Sequence, residues 1–86
     1  MAYVVQYSDK VVNEHIPALP KSACGQIRHA IETRLTEDPV GVGKPLRYSL
    51  KGHRRLRVGD WRVIYKIQGN TVFIFTIGHR KDVYDR

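Results

Sequence analysis

The chain collects His53, Arg54, Arg55, Arg57, Arg62, Lys66, His79, Arg80 and Tyr84 in its second half, with Lys51 just ahead of them. Clustered guanidinium groups stabilise a phosphate that takes on extra negative charge, and a histidine or tyrosine beside them can move a proton. Together these suit metal-free cleavage of a ribonucleic acid. The histidines, His15, His29, His53 and His79, stand apart from cysteine and lack i, i+4 spacing, so neither a metal site nor a cofactor is expected. Gly41-x-Gly43 follows a helical pattern rather than a strand, which argues against a phosphate-binding loop.

The element that must position these groups is a β-hairpin over residues 53–66. Two alternating runs flank Gly59-Asp60, and glycine at the first central position of a two-residue loop suits a type II′ turn. That turn predicts the register: Val58 opposite Trp61, Arg57 opposite Arg62, Leu56 opposite Val63, Arg55 opposite Ile64 and Arg54 opposite Tyr65. Because strand side chains alternate, Leu56, Val58, Trp61, Val63, Tyr65 and Ile67 form a core face with Trp61 largely buried. The other face carries His53, Arg55, Arg57, Arg62 and Lys66 with Ile64 among them. Like charges so arranged repel unless something anionic uses them.

The charge distribution points the same way. Eight basic residues against the lone acid Asp60 lie between Lys44 and Lys66, so this segment holds the whole formal excess of +7. A basic patch confined to one element is the footprint of a polyanionic partner.

The 86 residues predict a single domain, 1–86, with one modest core. The chain contains no apolar run long enough to cross a bilayer and no signal-peptide layout, and with the lone Cys24 it can form no internal disulfide. A cytoplasmic protein is expected. Residues 2–7 read as a first strand, residues 10–15 as a short helix capped by Ser8-Asp9, with Val11, Val12 and Ile16 on one stripe. Pro20 opens a second helix whose apolar face carries Ala23, Cys24, Ile27, Ala30, Ile31 and Leu35 and which ends near Asp38-Pro39. Residues 39–45 read as a connecting loop, residues 46–50 as a short strand, and residues 71–77 as a central strand buried on both faces.

The run Leu56-Arg57-Val58-Gly59-Asp60-Trp61-Arg62-Val63-Ile64-Tyr65, followed by a turn, an apolar strand and Ile77-Gly78-His79-Arg80-Lys81-Asp82-Val83-Tyr84, resembles the RelE toxins of the RelE/ParE superfamily. The resemblance covers nearly the whole chain. It implies an α+β fold, a small mostly antiparallel four-stranded sheet with two N-terminal helices packed on one face. The implied protein is the toxin of a type II toxin–antitoxin system, an endoribonuclease that cuts messenger RNA in the ribosomal A site. Its implied partners are a cognate antitoxin, forming a hetero-oligomer, and the ribosome with its mRNA, with no membrane involved. By position, Arg62 and Arg80 match the family's phosphate-binding arginines and Tyr84 its catalytic tyrosine. His53 and Arg55 stand where the best-known members carry two lysines. Arginine does not deprotonate near neutral pH, so Arg55 would hold charge, and the general base lies between His53 and Tyr84, with His79 third. Lys51, Arg54, Arg55, Arg57 and Lys66 would contact the RNA. The alternatives are a gyrase-inhibiting toxin of the ParE type, whose chains usually lack the Arg80 and Tyr84 pair, and a non-catalytic RNA-binding domain.

Overall fold

In a computed structural model that describes residues 2–47 and 51–83, the strands β1 (Val4–Tyr7), β2 (Lys44–Pro45), β3 (Arg54–Val58), β4 (Trp61–Gln68) and β5 (Thr71–His79) form a sheet in the order β1-β5-β4-β3-β2. β1 runs parallel to β5 and the other pairs are antiparallel. The sheet therefore has five strands, not the expected four. One edge member is β2, a two-residue strand just ahead of the strand read from the sequence at 46–50. Pro45 has no N–H to donate and so fits only at an edge. Arg54 draws the preceding loop against β3 by donating from Nη2 to the carbonyls of Val40 at 2.6 Å and Gly43 at 3.1 Å. Leu46 and Arg47 are not in a strand, and residues 48–50 lie outside the described residues.

The β3–β4 register is the predicted one at all five pairs, with Gly59 at φ +60° in the turn. Positive φ at that place is what a primed turn needs, and glycine meets it without strain. Between β4 and β5 the register slips: Ile64 pairs with Thr76 but Tyr65 pairs with Ile74, leaving Phe75 as the extra residue of a bulge. The bulge changes which side chains face inward. Val72, Ile74 and Ile77 are buried, whereas Phe75 is 46% exposed. β5 is thus central in the sheet but not buried on both faces, because the helices pack on one side of it.

That side holds the core. Ala23, Ile27, Ala30, Ile31 and Leu35 pack with Leu56, Val63, Tyr65, Val72, Ile74 and Ile77, as the helical periodicity predicts, while Cys24 is half-buried at the margin. Helix α1 (Lys21–Ala30) begins after Pro20, whose carbonyl accepts the first helical hydrogen bond from Cys24 at 2.9 Å. It continues into a π-helical turn, Ile31–Leu35. The predicted first helix is also a π-helical turn, Val11–His15, closed by Ile16 N–H on the Val11 carbonyl and capped by Ser8 Oγ. The wider turn leaves Val12 50% exposed, off the expected stripe, while Val11 is fully buried. Residues 39–45 are not simply a loop. Asp38 accepts from Gly41 N–H and Pro39 sits at the first position of a short helix, α2 (Pro39–Val42). Among the described residues no helix is long and apolar enough to cross a membrane.

Candidate nucleic-acid interface

The face of the sheet opposite the helices is read off the register. Arg57, Arg62 and Gly78 form one cross-strand row and Arg55, Ile64 and Thr76 the next, with Lys66 and Phe73 further along. Lys44 extends the second row by pairing with Arg55 from β2. Arg57, Lys51 and Lys66 are exposed, and Arg55 and His53 are half-buried. Ile64, the apolar member of this face, is only 1% exposed although it stands between Arg55 and Thr76 in its row.

Arg62 is 7% exposed, a buried charged side chain on a face expected to be open. Its Nη1 donates to the carbonyls of Trp61 at 3.2 Å and Gly59 at 3.4 Å, which pins the guanidinium across the hairpin turn. Arg80 meets the same turn from the other side. Its backbone N–H donates to the Asp60 carbonyl at 2.8 Å and its Nε lies 3.7 Å from Asp60 Oδ1. Two arginines 18 positions apart in the chain are thereby gathered on one two-residue turn. Asp60, read from the sequence only as a turn residue and the lone acid of the segment, is the group that orients Arg80.

The tail past β5 folds back over this site. Val83 N–H donates to the His79 carbonyl at 3.1 Å, and the turn seats Val83 on Gly78 so closely that a Cβ there would stand 2.6 Å from Val83 Cγ2. Gly78 pairs with Arg62, and its lack of a Cβ leaves room for Val83 beside that row. His79 serves the tail itself: its Nδ1 accepts the Lys81 N–H at 3.2 Å, and its ring stands edge-on to Trp61 with centroids 5.3 Å apart. Trp61 is only half-buried, contrary to expectation, because it opens β4 at the rim of the core. Tyr84 lies outside the described residues.

The other predicted residues are placed elsewhere. His53 precedes β3 at the end away from the turn, four residues from Arg57, roughly 13 Å along the strand. There its ring lies 5.1 Å from that of Phe75. Arg54 shares the face of Leu56 and Val58, and its guanidinium joins the Val40 and Gly43 carbonyls to the Tyr65 hydroxyl, which itself donates to the Pro39 carbonyl. Burial pushes the Tyr65 hydroxyl pKa up, and Arg54 beside it opposes that in part. His15, outside the predicted set, accepts the Ile77 N–H at Nδ1 and ties the first helical turn to β5.

Comparison with known proteins agrees with this architecture. The family model of the ParE toxin of type II toxin–antitoxin system, parDE, matches residues 13–84. Toxin RelG of Mycobacterium tuberculosis is 32% identical, with 100% of each chain covered. The toxin–antitoxin complex RelBE2 from Mycobacterium tuberculosis contains a chain that superposes with a TM-score of 0.86 at 29% identity, covering 93% of this chain and 100% of that one. A mutant of the E. coli toxin RelE in the free state has the same fold, with a TM-score of 0.74 at 17% identity over 94% of this chain and 86% of that one.

Proposed function

The chain belongs to the RelE/ParE superfamily of toxins of type II toxin–antitoxin systems, and from that premise we propose that it is an endoribonuclease that cleaves messenger RNA in the ribosomal A site. The observation that carries this reading is the gathering of Arg62 and Arg80 on the Gly59-Asp60 turn. Paired guanidinium groups held in place before the reaction are suited to a phosphate whose charge increases in the transition state, because no reorganisation is needed as the charge develops.

In this mechanism the 2′-hydroxyl of a nucleotide attacks its own 3′ phosphodiester. Tyr84 takes the 2′ proton, and Arg62 and Arg80 hold the dianionic phosphorane; His53, at the end of the sheet away from the turn, lies too far from a phosphate held there to share that role. The bond from phosphorus to the 5′ oxygen breaks, leaving a 2′,3′-cyclic phosphate and, once the leaving oxygen is protonated, a 5′-hydroxyl. Arg55 and Arg57, with Lys51 and Lys66, position the backbone of the message. Arg54 would steady this end of the sheet through its carbonyl contacts as well as add positive charge. An antitoxin partner in a hetero-oligomer is supported by the similarity to the RelBE2 complex.

The test is single-turnover cleavage of a message on stalled ribosomes with toxin in excess. Arg62→Ala and Arg80→Ala should each slow the chemical step by about 10²-fold or more. Wild-type rates in both would sink the mechanism. Tyr84→Phe should abolish the dependence of rate on pH and His53→Gln should leave it; the reverse outcome would place the base at the far end of the sheet. The match to the ParE toxin family model favours one second reading, inhibition of gyrase. A well-folded protein that blocks DNA supercoiling and cuts no message would establish that reading instead.

A further inference from the structure

At the end of the outer sheet face away from Arg62, a cleft of about 330 Å³ is lined by His53, Lys66, Gln68, Phe73 and Phe75. That volume is at the small end of the range for ligand clefts. Its aromatic wall is Phe73 and Phe75, which alternate with the buried Val72 and Ile74 and so face outward, Phe75 being 46% exposed. The His53 ring packs against Phe75, tilted 53° with centroids 5.1 Å apart, within the range of aromatic pairs. His53 Nδ1 is buried without a hydrogen-bond partner among the described residues. A polar atom so placed weakens the fold, so packing alone is a poor account of a histidine here. Lys66, paired across from Phe73, puts an exposed ammonium at the rim.

An open aromatic surface beside a cation, continuous with a basic sheet face, is the composition of a single-stranded RNA contact, in which rings take the bases and cations follow the backbone. We propose that this cleft receives an unstacked nucleobase of the message, stacked on Phe75 and Phe73, with Lys66 beside an adjoining phosphate. Lys66 is four residues from Arg62 along β4, roughly 13 Å, so the captured base belongs to a nucleotide flanking the one that is cut. This inference rests on the RNA-cleaving reading and adds to it a subsite through which the protein holds the message next to the scissile bond.

The experiment measures binding of a single-stranded hexaribonucleotide whose 2′ positions are methylated so that it cannot be cut, alongside A-site cleavage of an ordinary message. Phe75→Ala should weaken binding about tenfold without changing its salt dependence, and Phe75→Trp should restore it, since the effect sought is that of a π surface. A hexamer with its bases removed should bind the wild-type protein as weakly as the intact hexamer binds Phe75→Ala. Lys66→Ala should instead reduce the slope of log affinity against log salt by about one. Circular dichroism should show Phe75→Ala folded, as expected for a side chain outside the core. Equal binding of the intact and base-free hexamers, or no hexamer binding by a protein that cuts on the ribosome, overturns the inference and leaves the proposed function standing. Neither binding nor cleavage by the folded wild type overturns both.

Discussion

Arg62 has a structural role that its position in the sequence does not suggest, beside the phosphate contact proposed for it. Its guanidinium is buried and donates to the Gly59 and Trp61 carbonyls, so it stabilises the turn that it shares with Arg80. Replacing it with alanine should therefore lower stability by about 2 kcal/mol in urea unfolding, besides the effect on rate proposed above, because charged hydrogen-bond donors contribute more than neutral ones. Asp60 is the opposite case. Its ion pair with Arg80 is more than half exposed on both sides, and such pairs contribute about 0–1 kcal/mol. Asp60→Asn should leave unfolding almost unchanged yet slow single-turnover cleavage, though less than Arg80→Ala does, since the arginine stays but loses its orienting carboxylate. A stability loss as large as that of Arg62→Ala would mean that Asp60 supports the fold and not the site.

At the level of elements, the short helix α2 and the edge strand β2 are held to the sheet by Tyr65 and Arg54. Tyr65 is fully buried, and its hydroxyl donates to the Pro39 carbonyl at the start of α2. Tyr65→Phe should cost about 1 kcal/mol at neutral pH, the net worth of one hydrogen bond. The pH dependence follows from the direction of the shift. Burial raises the Tyr65 pKa above the ordinary 10.0, so the folded state keeps the hydroxyl neutral after the unfolded chain has begun to ionise. Stability from this group is complete below that ordinary value and is lost as pH rises through the higher folded one. Urea titrations on either side of pH 10 should show the wild type losing stability more steeply than Tyr65→Phe, with the two curves converging as pH rises. Parallel curves would place the alkaline loss in other groups, such as Tyr7, whose hydroxyl pKa is also raised by burial. In α2 itself, Asp38→Ala removes the cap on Gly41 N–H and should cost about 1 kcal/mol.

For the molecule as a whole, the decisive property is that the formal excess of +7 lies between Lys44 and Lys66, with Arg55, Arg57, Arg62 and Lys66 on the outer face of the sheet. The face that would hold a message is also one that an acidic antitoxin segment would cover. Charged surfaces of opposite sign speed encounter and are screened by salt. Association with the cognate antitoxin, followed by stopped flow, should slow several-fold between about 0.01 M and 0.15 M salt, where the screening length falls from about 30 Å to 8 Å. An association rate indifferent to salt would place the antitoxin contact away from the basic face.

The residues alone determined the hairpin, its register, the inward-facing apolar set and the helix stripe of Ile27, Ile31 and Leu35, because each depends on local periodicity and on one glycine-containing turn. The motifs around Gly59-Asp60 and Gly78-His79-Arg80 carried the family resemblance for the same reason: they are contiguous in the chain. The β5 bulge was not legible, since an uncharged run of seven residues reads as a strand buried on both sides whether or not one residue is extra. Nor was the burial of Arg62, whose guanidinium turns back onto the Gly59 and Trp61 carbonyls. Only the tertiary structure joined Asp60 to Arg80, assigned Arg54 to the α2 loop and set His53 beside Phe75 at the far end of the sheet. Those contacts link residues that no local pattern relates, and chain folding alone decides which of them meet.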